Sequence, residues 1–208
     1  LLLIAAAVVS VAVAAIPLLY LLVRTSSAGG NAVIEALFRD RTLETTITSV
    51  ALVTLLIVGC LLIAVPTAWL LARTNIPGRA FFLVMAALPL AVPSYVMAYA
   101  WIAEFPGMSG IGAAALVMVL ATYPYVAIPL TAALRSIDAG HVEAARSLGL
   151  GPLAVARRVT LPLAWPAAAA GVLLAALYTL SEFGTVAIFR VDAFTRVIYT
   201  CLLYTSDA

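Results

Sequence analysis

The sequence predicts an all-α, polytopic transmembrane helical bundle, and three observations carry that reading. Of its 208 residues, 65% are hydrophobic and only 10% charged, where soluble domains carry roughly a quarter charged. Five runs reach the length of about 20 mainly apolar residues needed to cross a hydrocarbon core of about 30 Å. Proline recurs inside those runs, where a water-exposed helix would be broken by it and a membrane bundle tolerates it. Nine acidic and eleven basic side chains are too few to cover a globule of this size, so the surrounding solvent has to be largely lipid.

The expected spans are Leu1–Val23, Ile47–Ala72, Ala80–Ala103, Gly112–Leu134 and Ala167–Phe189. The first holds no charged residue and lacks a basic leader with a small-residue cleavage pattern, so it reads as a span and not as a signal peptide. Between the first two spans, Val33, Ile34, Leu37 and Phe38 are spaced for a short amphipathic helix lying at the interface, with Asn31 as its cap. The expected organisation is therefore residues 1–46, a span with an extracytoplasmic amphipathic segment, followed by residues 47–208, the main transmembrane domain. Pro17, Pro66, Pro89, Pro93, Pro124 and Pro129 fall inside runs, and Pro89 and Pro93, at i and i+4, place one bend in the third span. The chain begins on Leu and its final apolar stretch stops abruptly, which leads us to expect a piece of a longer protein, truncated before a sixth span.

The charges exclude some functions. They fall in short clusters between apolar runs, with no basic face to track phosphates, so nucleic acid is not an expected partner. Cys60 and Cys201 have neither metal-ligand nor disulfide-scaffold spacing, and His141 has no second ligand beside it; no metal or cofactor is expected. Arginine counts orient the bundle narrowly. Arg73, Arg79, Arg135, Arg146, Arg157 and Arg158 fall on one side and Arg24, Arg39, Arg41, Arg190 and Arg196 on the other, six against five. The excess places the long fourth loop, 135–166, in the cytoplasm.

That loop parses as helix, turn, helix. Asp138 is placed to cap the first helix, with Glu143 near its positive end. Gly149 and Gly151 end it, and Pro152 starts the second, which carries Arg157 and Arg158. A compact knob follows from these residues, and an ordinary re-entry loop between spans fits them equally.

The order Glu143-Ala144-Ala145, three residues, Gly149, nine residues, Val159, one residue, Leu161-Pro162 resembles the EAA signature of ABC importer permeases, with Val where Ile is usual. Thr42–Thr46, Leu71–Arg79, Leu88–Tyr95 and Ser181-Glu182-Phe183-Gly184 look like the ferric iron branch of that family. The resemblance implies most of the first half of a two-half permease in the bacterial inner membrane. It implies a periplasmic substrate-binding protein, a second permease half and a cytoplasmic ATPase dimer as partners, with transport by alternating access. The sequence has no glycine-rich phosphate loop with lysine, so ATP hydrolysis is expected on a separate subunit and this chain is not expected to be an enzyme. Polyamine, thiamine and phosphonate importers share the signature and remain alternatives. An ion-coupled secondary transporter is a further alternative, against which no repeated intramembrane ionisable residues are visible.

Within this resemblance, Glu143, Ala144, Ala145, Gly149, Val159, Leu161 and Pro162 form the expected ATPase-coupling loop. Glu182, an acid deep in the fifth apolar run, is a candidate pathway residue or a structural polar contact to a neighbouring span. Tyr95 and Tyr99, at i and i+4 after the bend, form one face that lines the passage or anchors at the interface.

Overall fold

The structure, a computed structural model, describes residues 2–28 and 40–199. The expected amphipathic helix at 31–39 and the tail 200–208 lie outside the described residues. These fall into two compact units, 1–44 and 45–208.

The first unit contains α1, Leu2–Ala28, an unbroken helix of 27 residues that carries Pro17 within it. Its described side chains, among them Ile4, Val8 and Leu22, present an exposed apolar surface, as expected of a segment solvated by lipid.

From Thr45 onward, within the second unit, α2 (Asp40–Arg73) buries a single stripe formed by Thr45, Ser49, Leu52, Leu56, Cys60, Ala64, Ala68 and Leu71. Steps of three and four residues keep these on one face. Ile47, Val50, Val58 and Leu62 cover the opposite face and are exposed. The stripe meets α5 (Gly110–Thr122), where Cys60 Sγ lies 3.4 Å from Thr122 Oγ1. Gly59 lets the helices approach so closely that a Cβ there would stand 2.6 Å from Val119 Cγ2.

The third span is two helices. α3 (Arg79–Ala87) passes into a 3₁₀ turn at Leu88–Ala91, and α4 (Ser94–Glu104) departs at 91° to the preceding arm. Pro89 and Pro93 have no amide to give to the carbonyls four residues earlier, and a proline drives the residue before it out of the helical region. Val92 is accordingly extended, at φ −104° and ψ 120°, and its amide turns back to the Pro89 carbonyl at 3.1 Å. The bend expected from the sequence is thus a full break.

α5 and α6 (Pro124–Ser136) together form one central span, Gly110–Ser136. α5 buries residues on every side, including Ala114, Val117 and Met118, the mark of a helix enclosed by its neighbours. α7 (Ala139–Ser147) follows. The last long element runs from α8 (Pro152–Val155) through a π-helical segment, Ala156–Thr160, into α9, Leu161–Ser181. This corrects the fifth expected span: the helix covers Pro152–Ser181, not Ala167–Phe189. Pro162 and Pro166 do not delay it. The Pro162 ring withholds an amide from the Arg158 carbonyl, and the ladder accommodates that by widening just upstream. Among the described residues, three helices are long and apolar enough to cross a membrane, Arg41–Arg73, Gly110–Ser136 and Pro152–Ser181, or four with the broken pair counted as one span, while α1 contributes the shorter apolar stretch Val8–Pro17. The protein is a multi-pass membrane protein.

α6 and α9 pack through small residues. Ala164, Ala168, Gly171 and Ala175 form the buried stripe of α9, and a Cβ at Gly171 would lie 2.4 Å from the Tyr125 carbonyl oxygen and 2.7 Å from Val126 Cα. Both neighbours are backbone, so only glycine permits this crossing. We expect Gly171→Leu to separate α6 from α9 and cost about 1–3 kcal/mol by overpacking. Thermal unfolding of the purified protein in detergent checks this, and an unchanged midpoint would contradict the close crossing.

Candidate functional site

The loop between α6 and α9 is built from local signals. Ile137 leaves the helical region, and Asp138 caps α7 by accepting the Gly140 amide on Oδ1 at 3.2 Å, relieving one of the unpaired donors at a helix start. At the other end the Leu150 amide donates to the Ala145 carbonyl at 3.2 Å and the Gly149 amide to Arg146 at 2.9 Å. This paired closure needs a left-handed residue between them, and Gly149 supplies it at φ +82°. Gly151 does not share that role: it is extended, at φ −68° and ψ 163°, and its carbonyl accepts the Val155 amide at 3.0 Å as α8 begins on Pro152.

The result is a closed knob in which α7 lies against α8 and the π segment. Ala145, Val155 and Thr160 are its buried side chains, while Glu143 and Ala144 face outward. Val159 and Leu161 are half-buried on the continuing helix and Pro162 is exposed on its first turn. The structure therefore brings the seven residues of the expected loop into one helical hairpin. Leu148, 82% exposed at the tip, was not singled out by sequence. Its position between Ala145 and the left-handed Gly149 was the available signal.

The second group of expected residues collects around the ends of two helices. Glu182 does not lie inside the fifth span as expected; it follows the last residue of α9 with an extended backbone, ψ 125°. Its Oε1 accepts the Thr185 amide at 3.0 Å and the Thr185 hydroxyl at 3.2 Å, capping α10 (Gly184–Ile188), while its carbonyl accepts the Thr195 hydroxyl at 2.7 Å. The polar contact is thus local and not to a neighbouring span. No arginine lies within ion-pair distance of Glu182 among the described residues.

The break in the third span packs against this turn. A Cβ at Gly184 would stand 2.7 Å from Tyr95 Cβ, and the Tyr178 hydroxyl donates to the buried Ser94 Oγ at 2.8 Å. Tyr95 therefore joins Glu182 in one cluster, 50% exposed, whereas Tyr99, one turn further and 62% exposed, makes no described contact with it. Tyr178, Ser94 and Thr185 are members that sequence reasoning missed, because a hydroxyl in an apolar run carries no local mark of its partner. Among the described residues no three metal-ligating side chains converge.

Residues 64–194 match the family described as binding-protein-dependent transport system inner membrane component. The chain belongs to this family. Among individual relatives, the permease is 32% identical over 190 residues to the Fe(3+)-transport system permease protein FbpB 2 of Haemophilus influenzae, covering 88% of this chain and 36% of that protein. It is 30% identical to the molybdenum transport system permease protein ModB of Escherichia coli, covering 63% of this chain and 65% of ModB. It is 28% identical to the sulfate transport system permease protein CysW of Escherichia coli, covering 86% of this chain and 67% of CysW. The chain thus spans about a third of the length of the first of these relatives and about two thirds of the other two.

At this permease's helix break, the cap and the cross-helix hydrogen bond can be separated by substitution. Glu182→Gln keeps a carbonyl acceptor for Thr185 and should change stability by less than about 0.5 kcal/mol, whereas Glu182→Ala should cost about 1 kcal/mol as a lost cap. Equal melting midpoints for the two variants would contradict the capping role.

Proposed function

We propose that this chain is part of the membrane-spanning permease of an ATP-driven importer in the bacterial inner membrane. A periplasmic binding protein delivers ferric iron, and alternating access moves it inward. A separate cytoplasmic ATPase dimer supplies the energy, and a second permease half completes the pathway. The observation that carries the reading is the closed knob at Ala139–Leu150, outward-facing at Glu143, Ala144 and Leu148. A helix fixed at both ends, between two spans, transmits a push from a partner instead of absorbing it.

Chemically, each residue of the loop has a distinct task. Ala144 presents no side chain beyond Cβ, so a partner's groove can close on the helix backbone, and Leu148 gives an apolar anchor at its tip. Glu143 adds a charge at the contact. Gly149 reverses the chain behind the anchor, and nothing within 4 Å would obstruct a Cβ there. A substitution at Gly149 therefore strains the backbone by about 1 kcal/mol, with no clash inside this chain. At the opposite group, Glu182, Tyr95 and Tyr99 line the pathway, and the carboxylate, with no arginine in ion-pair distance among the described residues, favours a cation.

The relatives' names include molybdenum and sulfate, which makes an oxyanion permease the second reading. Uptake of radiolabelled ferric iron, molybdate and sulfate by the intact transporter separates the two; we expect iron alone to accumulate. In the same assay, Gly149→Trp should remove uptake and ATPase copurification while leaving membrane insertion intact. Normal uptake by that variant would sink the coupling role.

A further inference from the structure

Two apolar grooves meet on one arginine at the base of the knob. The larger, about 670 Å³, lies between the end of α2 and the start of the last long helix, with Trp69 on one wall and Leu153 on the other. The smaller, about 340 Å³, runs beside Pro162 and Trp165. Arg157 and Leu161 line both. Leu153 and Trp165 are 67% and 55% exposed, so neither groove is filled by the described residues of this chain.

From these we propose a binding site for an anionic diacyl phospholipid, with one acyl chain in each groove and the phosphate on Arg157. Three features select that occupant. Two adjoining apolar channels converging on a single cation match a molecule with two tails and one anionic head. Tryptophans bracket the cation on either side, the arrangement that places indoles at headgroup depth. One turn beyond Trp69 on α2 and outside the groove lining, Arg73, like Arg79 at the start of α3, keeps Nε and Nη2 buried with no hydrogen-bond partner among the described residues, a further guanidinium that an anionic headgroup reaching it would satisfy. Basic pockets between helices on the cytoplasmic side are the usual seats of anionic headgroups. The site rests on the cytoplasmic placement of the loop proposed above. Because Leu161 and Pro162 belong to that loop, an occupied site would brace the knob from the membrane side.

The test uses the complete permease with its ATPase, purified from nanodiscs of phosphatidylcholine alone or with phosphatidylglycerol, and counts retained lipid by native mass spectrometry. The wild type should retain phosphatidylglycerol in preference to phosphatidylcholine. Arg157→Gln should weaken that retention about fivefold, the equivalent of ~1 kcal/mol per basic residue at an anionic surface. Arg157→Lys should keep most of it, and Arg190→Gln, at a distant loop, should keep all. A photo-reactive residue at position 153 should crosslink to lipid. Equal retention of the two lipids, equal retention by Arg157→Gln, or a crosslink to the permease or ATPase in place of lipid would each overturn the site. The ATPase is scored in the same preparations: lipid lost with the ATPase retained removes this site alone, and the ATPase absent with lipid retained removes only the coupling reading.

Discussion

The close crossing of α6 and α9 at Gly171 is the contact on which the functional loop depends. The loop is the connection between these two helices, so its rigidity is no greater than that of its arms. Gly171 lets the α9 backbone rest against the Tyr125 carbonyl and Val126, and the small stripe of Ala164, Ala168 and Ala175 extends the contact in both directions. In lipid, apolar side chains gain little by leaving one hydrocarbon environment for another, so helices associate mainly through close packing of this kind. With the arms held, the caps at Asp138 and Gly149 close a short helix into a fixed projection.

The other constraint is that every backbone amide and carbonyl within the bilayer must find a partner inside the protein. Proline removes donors, and this chain answers in three ways. At Pro89 and Pro93 the helix breaks, and the start of α4 is turned toward α9 and α10, where Tyr178 meets Ser94 and Gly184 meets Tyr95. At Pro162 the ladder widens into a π segment and continues. At Pro66 and Pro129 the helix continues without interruption. The break in the third span and the end of the fifth therefore coincide in space, and that coincidence creates the polar cluster of Glu182, Tyr178, Ser94 and Thr185.

The knob was almost wholly legible from the sequence, because its parts are local. A cap, a left-handed glycine and a proline at a helix start each act within about four residues, and Asp138, Gly149 and Pro152 all take the places their chemistry requires. The helix break was legible for the same reason. Gly151 was misread as a helix terminator since a glycine is free to be extended as well as left-handed, and only the neighbouring chain decides which. The fifth span was misplaced because the length of the apolar run alone set its bounds, whereas the π segment that carries the helix past Pro162 and the extended Glu182 that ends it are settled by the surrounding chain.

By itself the sequence determined that the chain lives in lipid, that it is helical, where the knob is capped at Asp138 and Gly149, and where the third span is broken, since composition and short-range sterics are written residue by residue. Tertiary structure decided which ends meet. It placed Glu182 beyond α9 as a cap instead of inside the span, set Tyr95 against the α9–α10 turn, and joined two grooves at Arg157. Those outcomes depend on how closely two helices approach, and that distance is set at glycines such as Gly59, Gly171 and Gly184, whose partners lie tens of residues away.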